Sequence, residues 1–208
     1  MNITQRRSTG RRDSGARERL VLATRTCLRE RGVVDTSSRL IAQTAGENLG
    51  AITYYFGSKA QLVAAALADE LSEWIQPALD ALSGSADPAV RLVDAIGALN
   101  ATFEAQRARV PALLEVFVHA ARDRSSHEPI AAIWTDVHVQ LGAVIAELRA
   151  RELIARGIDP EAMAALIVAV IAGTVVHEAI DPGGTQHQQI ATQFAALLLA
   201  SRSGGAHS

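Results

Sequence analysis

The sequence predicts an all-α protein of about nine helices, and three observations point that way. Of its 208 residues, 49% are hydrophobic but only 4% aromatic, and Ala and Leu dominate the apolar set. That composition suits packed helices better than sheets. Apolar residues recur at helical spacing through most of the chain, and no segment sustains the apolar–polar alternation of a half-buried strand.

The elements follow in order. Residues 1–13 are rich in Arg, Ser, Thr and Gly and read as a disordered arm carrying Arg6, Arg7, Arg11 and Arg12. A first helix is expected from about Ser14 to Arg31, with Leu20, Ala23, Cys27 and Leu28 on one face and Gly32 as its stop. Cys27 reads as a small core residue. As the single cysteine it allows no intrachain disulfide and points to a reducing compartment. Thr36 is expected to cap a second helix to about Ala45, with Leu40, Ile41 and Ala45 inward and Gly46 in a left-handed terminal position. Asn48 caps a third, Leu49 to Phe56. Gly57-Ser58 breaks it, and Ser58 caps a fourth, from Lys59 to about Ile75, which Pro77 ends.

Asp87-Pro88 is a cap followed by a first-turn proline, opening a helix to about Arg107. Pro111 opens a short helix to about Ala121, Arg122 to His127 reads as a loop, and a further helix spans about Glu128 to Arg151. Asp159-Pro160 repeats the cap signal for an apolar helix to about Ile180. After the turn Asp181-Pro182-Gly183-Gly184, a last helix runs from Thr185 to about Ser201, with residues 203–208 a loose tail.

Composition narrows the function. The polar N-terminus is not a secretory signal, and the apolar run from Met163 to Val176, broken by Gly173 and Thr174, reads as too short to span a bilayer. A cytoplasmic protein with no membrane partner is expected. The net charge of −2 hides an asymmetry: residues 1–60 carry ten Arg and one Lys against five acids, +6, whereas residues 61–208 carry nine Arg against seventeen acids, −8. Only the front is suited to approach a polyanion. No Gly-rich phosphate loop or Gly-x-Ser-x-Gly is present. His177 and Asp181 stand at i,i+4, but two ligands do not make a metal site. No enzyme activity, cofactor or metal is expected.

Thr36 to Lys59 carries the functional signal. Two helices joined by a turn at Gly46 to Asn48 match a helix-turn-helix, whose second helix lies in the major groove of double-stranded DNA. A helix from Leu49 to Phe56 is roughly 12 Å long, close to the groove width of about 12 Å. Ile52 and Phe56 fall on one face as anchors. Gly50 and Tyr54 fall opposite, flanked by Ala51 and Thr53. Ala51 suits a thymine methyl and Thr53 a base hydrogen bond, while Tyr54 and Tyr55 offer hydroxyls to phosphates. Lys59, the only lysine in the chain, opens the next helix where anions are favoured. On the helix before, Ser38 suits a phosphate and Arg39 a guanine edge.

The segment resembles the TetR-type repressor family. The matching pieces are Arg31-Gly32, the run TSSRLIAQTAG (Thr36 to Gly46), the run GAITYYFGSK (Gly50 to Lys59), and Leu62. The resemblance implies that Ser38, Tyr55 and Lys59 hold phosphates, that Arg39, Leu49, Gly50, Ala51 and Thr53 face bases, and that Tyr54 lies against the DNA backbone. Three positions depart from the pattern. Glu47 stands where such proteins usually carry an apolar turn residue, often Val. Thr53 replaces a more common Tyr or Asn, and Tyr55 a common His.

The resemblance also implies a helix-turn-helix domain over residues 14–58 and a ligand-binding and dimerisation domain over 59–202. The apolar last two helices are the expected homodimer surface. A pocket for an unknown small-molecule effector is expected between about Asp87 and Arg151, with Trp74, Phe103, Phe117, His119, Trp134 and His138 as candidate lining. The expected function is a ligand-responsive regulator, by default a repressor, on a palindromic operator. The alternative is a helical ligand-binding or interaction module whose helix-turn-helix is vestigial.

Overall fold

The computed structural model describes residues 3–181 together with 189, 190, 193, 196 and 197; side chains are described from Gly15 onward, except Ser125 and Ser126. The described residues are mostly helical, joined by short turns and loops, and hold no strand. The elements are α1 (Ile3–Asp35), α2 (Ser38–Ala45), α3 (Leu49–Phe56), α4 (Lys59–Ser83), α5 (Pro88–Ala105), a 3-10 turn (Arg107–Arg109), α6 (Val110–Arg122), α7 (Arg124–Ala150) and α8 (Pro160–Ile180). Of the expected helix from Thr185 to Ser201 only residues 189, 190, 193, 196 and 197 are described, each of them helical, and the tail lies outside the described residues.

Local sequence accounts for most of these boundaries. Asp87 and Asp159 cap α5 and α8 by accepting from the backbone N–H groups of Ala89 and Ala162, each with proline at the first turn. Gly32, with φ 73 and ψ 175, breaks the helical path near the end of α1. Residues 3–13 have helical backbone where composition suggested an irregular arm. No proline stands before Pro77, and Arg and Gln favour the helix.

Pro77 does not end α4, which continues to Ser83. A mid-helix proline costs about 3 kcal/mol. Beyond it, Leu79 and Leu82 are buried in a core cluster, and their burial offsets that cost. Likewise α7 begins at Arg124, inside the stretch expected to be a loop.

The chain forms two compact units. The first comprises Met1–Leu71 and Val116–Ala131, the second Ser72–Glu115 and Ala132–Ser208. The expected boundary at 58/59 therefore falls inside the first unit. The reason is that Leu62, Val63, Ala66 and Leu67 of α4 are buried, and Glu70 pairs with Arg25 of α1. In the second unit, Leu79 and Leu82 of α4, Leu92 and Ala95 of α5, Leu141, Val144, Ile145 and Leu148 of α7, Ile154, and Ala164 of α8 form one apolar core. Ile145 is fully buried there. The change Ile145→Ala is expected to destabilise the fold by about 2–5 kcal/mol, read as a lower urea midpoint at unchanged m-value.

Two helical stretches, His127–Ala150 and Pro160–Ile180, are long and apolar enough to cross a membrane by length and composition. This corrects the view that the run around Met163 was too short, because α8 extends past both of its ends. A core helix passes the same test, and α7 supplies four residues to the core just described.

Candidate nucleic-acid interface

Helices α1, α2 and α3 pack together within the first unit. The cap of α2 is Ser37, whose hydroxyl accepts from the Leu40 N–H at 3.2 Å. Thr36, the expected cap, is fully buried and donates its hydroxyl to the Gly32 carbonyl at 2.7 Å. The helix ends at Gly46 with φ 67 and ψ 29. The Gly46 N–H donates to Gln43 O at 3.2 Å and the Glu47 N–H to Ala42 O at 2.9 Å. This pair of bonds is a Schellman motif, which turns the chain sharply into the next helix.

Asn48 then caps α3, its side-chain oxygen accepting from the Ala51 N–H at 2.9 Å. Gly50 keeps that cap open, since a Cβ there would lie 3.2 Å from Asn48 Oδ1. Gly57, at φ 76, ends α3, and Ser58 caps α4 by accepting from the Gln61 N–H at 3.1 Å.

The burial pattern of α3 divides its eight residues into two halves. Ala51, Ile52 and Phe56 are buried and Tyr55 is half-buried, whereas Leu49, Gly50, Thr53 and Tyr54 are exposed. At about 100° per residue, each set occupies one contiguous arc of roughly 140°. The outward arc is centred between Gly50 and Thr53. It holds Tyr54 at 74% exposure and Leu49 at 48%, two large apolar groups that the chain leaves uncovered.

Ala51 is therefore a correction to the set expected to face bases. It lies 7% exposed on the anchoring side, next to Ile52, so its methyl packs within the unit. Tyr55 shares the inward half, with its ring edge-on to Tyr54 at 4.8 Å. Arg39 is exposed, and Ser38 and Lys59 are half-exposed at the first positions of α2 and α4. The guanidinium of Arg17 lies 5.0 Å over the Phe56 ring, binding α1 to the anchoring side of α3.

Comparison with known proteins bears directly on this arrangement. Residues 20–66 match the family described as bacterial regulatory proteins, tetR family, and residues 88–201 match the BetI-type transcriptional repressor, C-terminal. The second match alone spans more than half of the chain. This protein belongs to the TetR family of transcriptional regulators. No curated protein matches it.

Among solved structures, it is similar to a TetR transcription regulator from Haloarcula marismortui, at 24% identity and TM-score 0.75, covering 90% of this chain and 98% of that one. FadR from Bacillus subtilis, solved with stearoyl-CoA, is 17% identical at TM-score 0.69, covering 88% and 98%. A complex of SmeT with triclosan is 19% identical at TM-score 0.63, covering 89% and 90%. SmeT is the repressor of a Stenotrophomonas maltophilia multidrug efflux pump. At these identities the likeness is one of fold.

In this TetR-family regulator the turn residue Glu47 has a partner that sequence reading missed. Arg19 of α1 donates to Glu47 Oε1 from Nη2 at 2.5 Å and from Nε at 3.2 Å. The two residues lie 28 positions apart, so no local pattern announces the pair. Deeper in the unit, Arg25 donates from Nε to Glu70 and from Nη1 to Asp69, each at 2.7 Å, fastening α1 to α4.

The six candidate effector residues fall in different places. Phe117 and His119 belong to the first unit, where His119 Nε2 lies 3.4 Å from Asp123 Oδ2. The other four belong to the second unit. There Trp74 and Phe103 are buried, with their rings edge-on at 5.4 Å, and Trp74 Nε1 has no hydrogen-bond partner among the described residues. Trp134 and His138 are half-buried one turn apart on α7. His138 lines a groove of about 760 Å³, with Thr135, Gly142, Arg149, Asp159 and Glu161 among its other walls.

Proposed function

We propose that this regulator binds a palindromic duplex operator as a homodimer, by default as a repressor, and that a small-molecule effector releases it. The outward arc of α3 carries the reading: Leu49, Gly50, Thr53 and Tyr54 stand uncovered on a capped helix of groove length. In this reading Arg39, Leu49, Gly50 and Thr53 meet base edges. Ser38, Tyr55 and Lys59 hold phosphates, and Tyr54 lies along the backbone.

A single helix-turn-helix makes few base contacts, so a two-fold pair on two half-sites supplies specificity. Helix α8 supports that pairing. It is strongly apolar yet largely uncovered, and Leu166, Val176 and Ile180 are exposed. Among the described residues a Cβ on Gly173 would meet nothing within 4 Å, which leaves room there for a second copy to approach closely. The other expected half of this surface, the last helix, is described only at residues 189, 190, 193, 196 and 197.

Effector binding in the second unit, with Trp74, Phe103, Trp134 and His138 as candidate contacts, would favour a spacing of the two α3 helices that DNA does not accept. Ligand and DNA then weaken each other's binding by the same factor. Stearoyl-CoA in FadR and triclosan with SmeT are precedents within the fold for a small organic ligand. The protein acts in the cytoplasm, where DNA and a reduced Cys27 coexist.

Selection of bound sequences from random duplex DNA tests the proposal. A palindromic consensus is expected, and enrichment of no sequence overturns it. On the selected duplex, Lys59→Ala is expected to weaken binding to all sequences alike and to reduce the salt slope by about one. Thr53→Ala is expected to change the preferred base at one position of each half-site, at about 1–3 kcal/mol of discrimination.

A further inference from the structure

We propose that Arg19 and Glu47 form a positioning pair that sets how sharply α3 discriminates one duplex sequence from another. The inference rests on α3 being the reading element. Glu47 occupies the position after Gly46 in the Schellman motif, where an apolar side chain normally completes the turn by packing on the third residue from the helix end, here Ala42. A carboxylate at that place forgoes the apolar contact and puts a negative charge one residue before the cap of α3, beside the element proposed to meet DNA.

The structure gives the carboxylate a different task. Its side chain is only 16% exposed, and one oxygen, Oε1, receives both Nε and Nη2 of Arg19. Two donors on one acceptor fix the guanidinium as a plane, not as a point charge. Gly15, one turn earlier on α1, makes room for it, since a Cβ there would stand 3.2 Å from Nη1. Glu47 immediately precedes Asn48, the cap of α3. The pair therefore ties α1 to the first turn of α3, the end at which Leu49 and Gly50 face outward.

The Arg19 side chain is 56% exposed, and an ion pair so open to solvent contributes little to folding. Its effect falls on recognition. By tying the turn before Asn48 to α1, the pair holds the first turn of α3 in the one orientation that faces Leu49 and Gly50 outward and places backbone on Ser38, Tyr55 and Lys59.

The test measures affinity of the full-length chain, by fluorescence anisotropy at one salt concentration, for the selected duplex and for a random duplex of equal length. Glu47→Gln is expected to raise affinity for the random duplex about threefold and to lower the selected-to-random ratio about tenfold. Glu47→Val, which restores the apolar turn contact, is expected to lower the ratio as far and decides the matter if Glu47→Gln melts below the assay temperature. Arg19→Glu combined with Glu47→Arg is expected to recover most of the ratio that either reversal loses alone. Ratios for Glu47→Gln and Glu47→Val within about twofold of the unchanged chain overturn the pair while leaving DNA reading intact. An unchanged chain that prefers no duplex overturns the reading beneath it, and the pair with it.

Discussion

Replacing Arg25 with Met is expected to destabilise the protein by about 3–5 kcal/mol, because it breaks a nearly buried ion pair from one side. The Glu70 side chain is 7% exposed and that of Arg25 is 10% exposed, and they meet at 2.7 Å between α1 and α4. Asp69, at 48%, remains in water and tolerates the loss of the same arginine. The change removes a guanidinium that meets a nearly buried carboxylate, and burial makes the loss of such a charge partner costly. For a chain of this size the loss corresponds to a fall in Tm of roughly 6–20 °C.

The double replacement Arg25→Met with Glu70→Leu removes both charges and is expected to recover most of that fall. Thermal unfolding of the two variants at one protein concentration checks the expectation. Equal melting temperatures for Arg25→Met and the unchanged chain would mean that the pair is not desolvated. Because the pair secures α1 against α4, Arg25→Met is also expected to loosen the frame that holds α2 and α3.

Affinity for the selected duplex is expected to fall by about 10³-fold or more between 50 and 200 mM salt, given roughly six phosphates held across the two half-sites. The charge distribution motivates the size of the effect. The net charge of +6 over residues 1–60 against −8 over the remainder places the attraction at the helix-turn-helix end and repulsion elsewhere. Titration of a labelled duplex at several salt concentrations gives the slope directly. A slope near zero would favour the vestigial reading of the helix-turn-helix. A steep slope without sequence preference would leave phosphate contacts but remove base reading.

Much of the architecture was legible because helix boundaries are local events. A capping Asn, Ser or Asp is satisfied by an N–H two or three residues on, as at Asn48, Ser58, Asp87 and Asp159. Gly46 needs only its own left-handed φ. Where the reading failed, the competition was not local. Thr36 and Ser37 are both chemically able to cap α2. Burial of Thr36 and its bond back to Gly32 left the role to Ser37. Pro77 carried a strong local stop signal, outweighed by Leu79 and Leu82 entering a core assembled from α5, α7 and α8.

The recognition helix shows the same division. Its length, its cap and the inward direction of Ile52 and Phe56 follow from the residues from Asn48 to Gly57 alone. Whether Ala51 lay inside or outside depended on where the packing of α1 and α2 against α3 centred the buried arc, and a rotation of one residue reverses it. The sequence by itself therefore determined the all-helical class, the caps and the helix-turn-helix. Only the tertiary structure decided that Ala51 is an anchor, that Glu47 is tied to Arg19 and that Arg25 joins α1 to α4. Caps and propensities act within a turn of chain, whereas those pairings span 28 to 45 residues and exist only once the helices have packed.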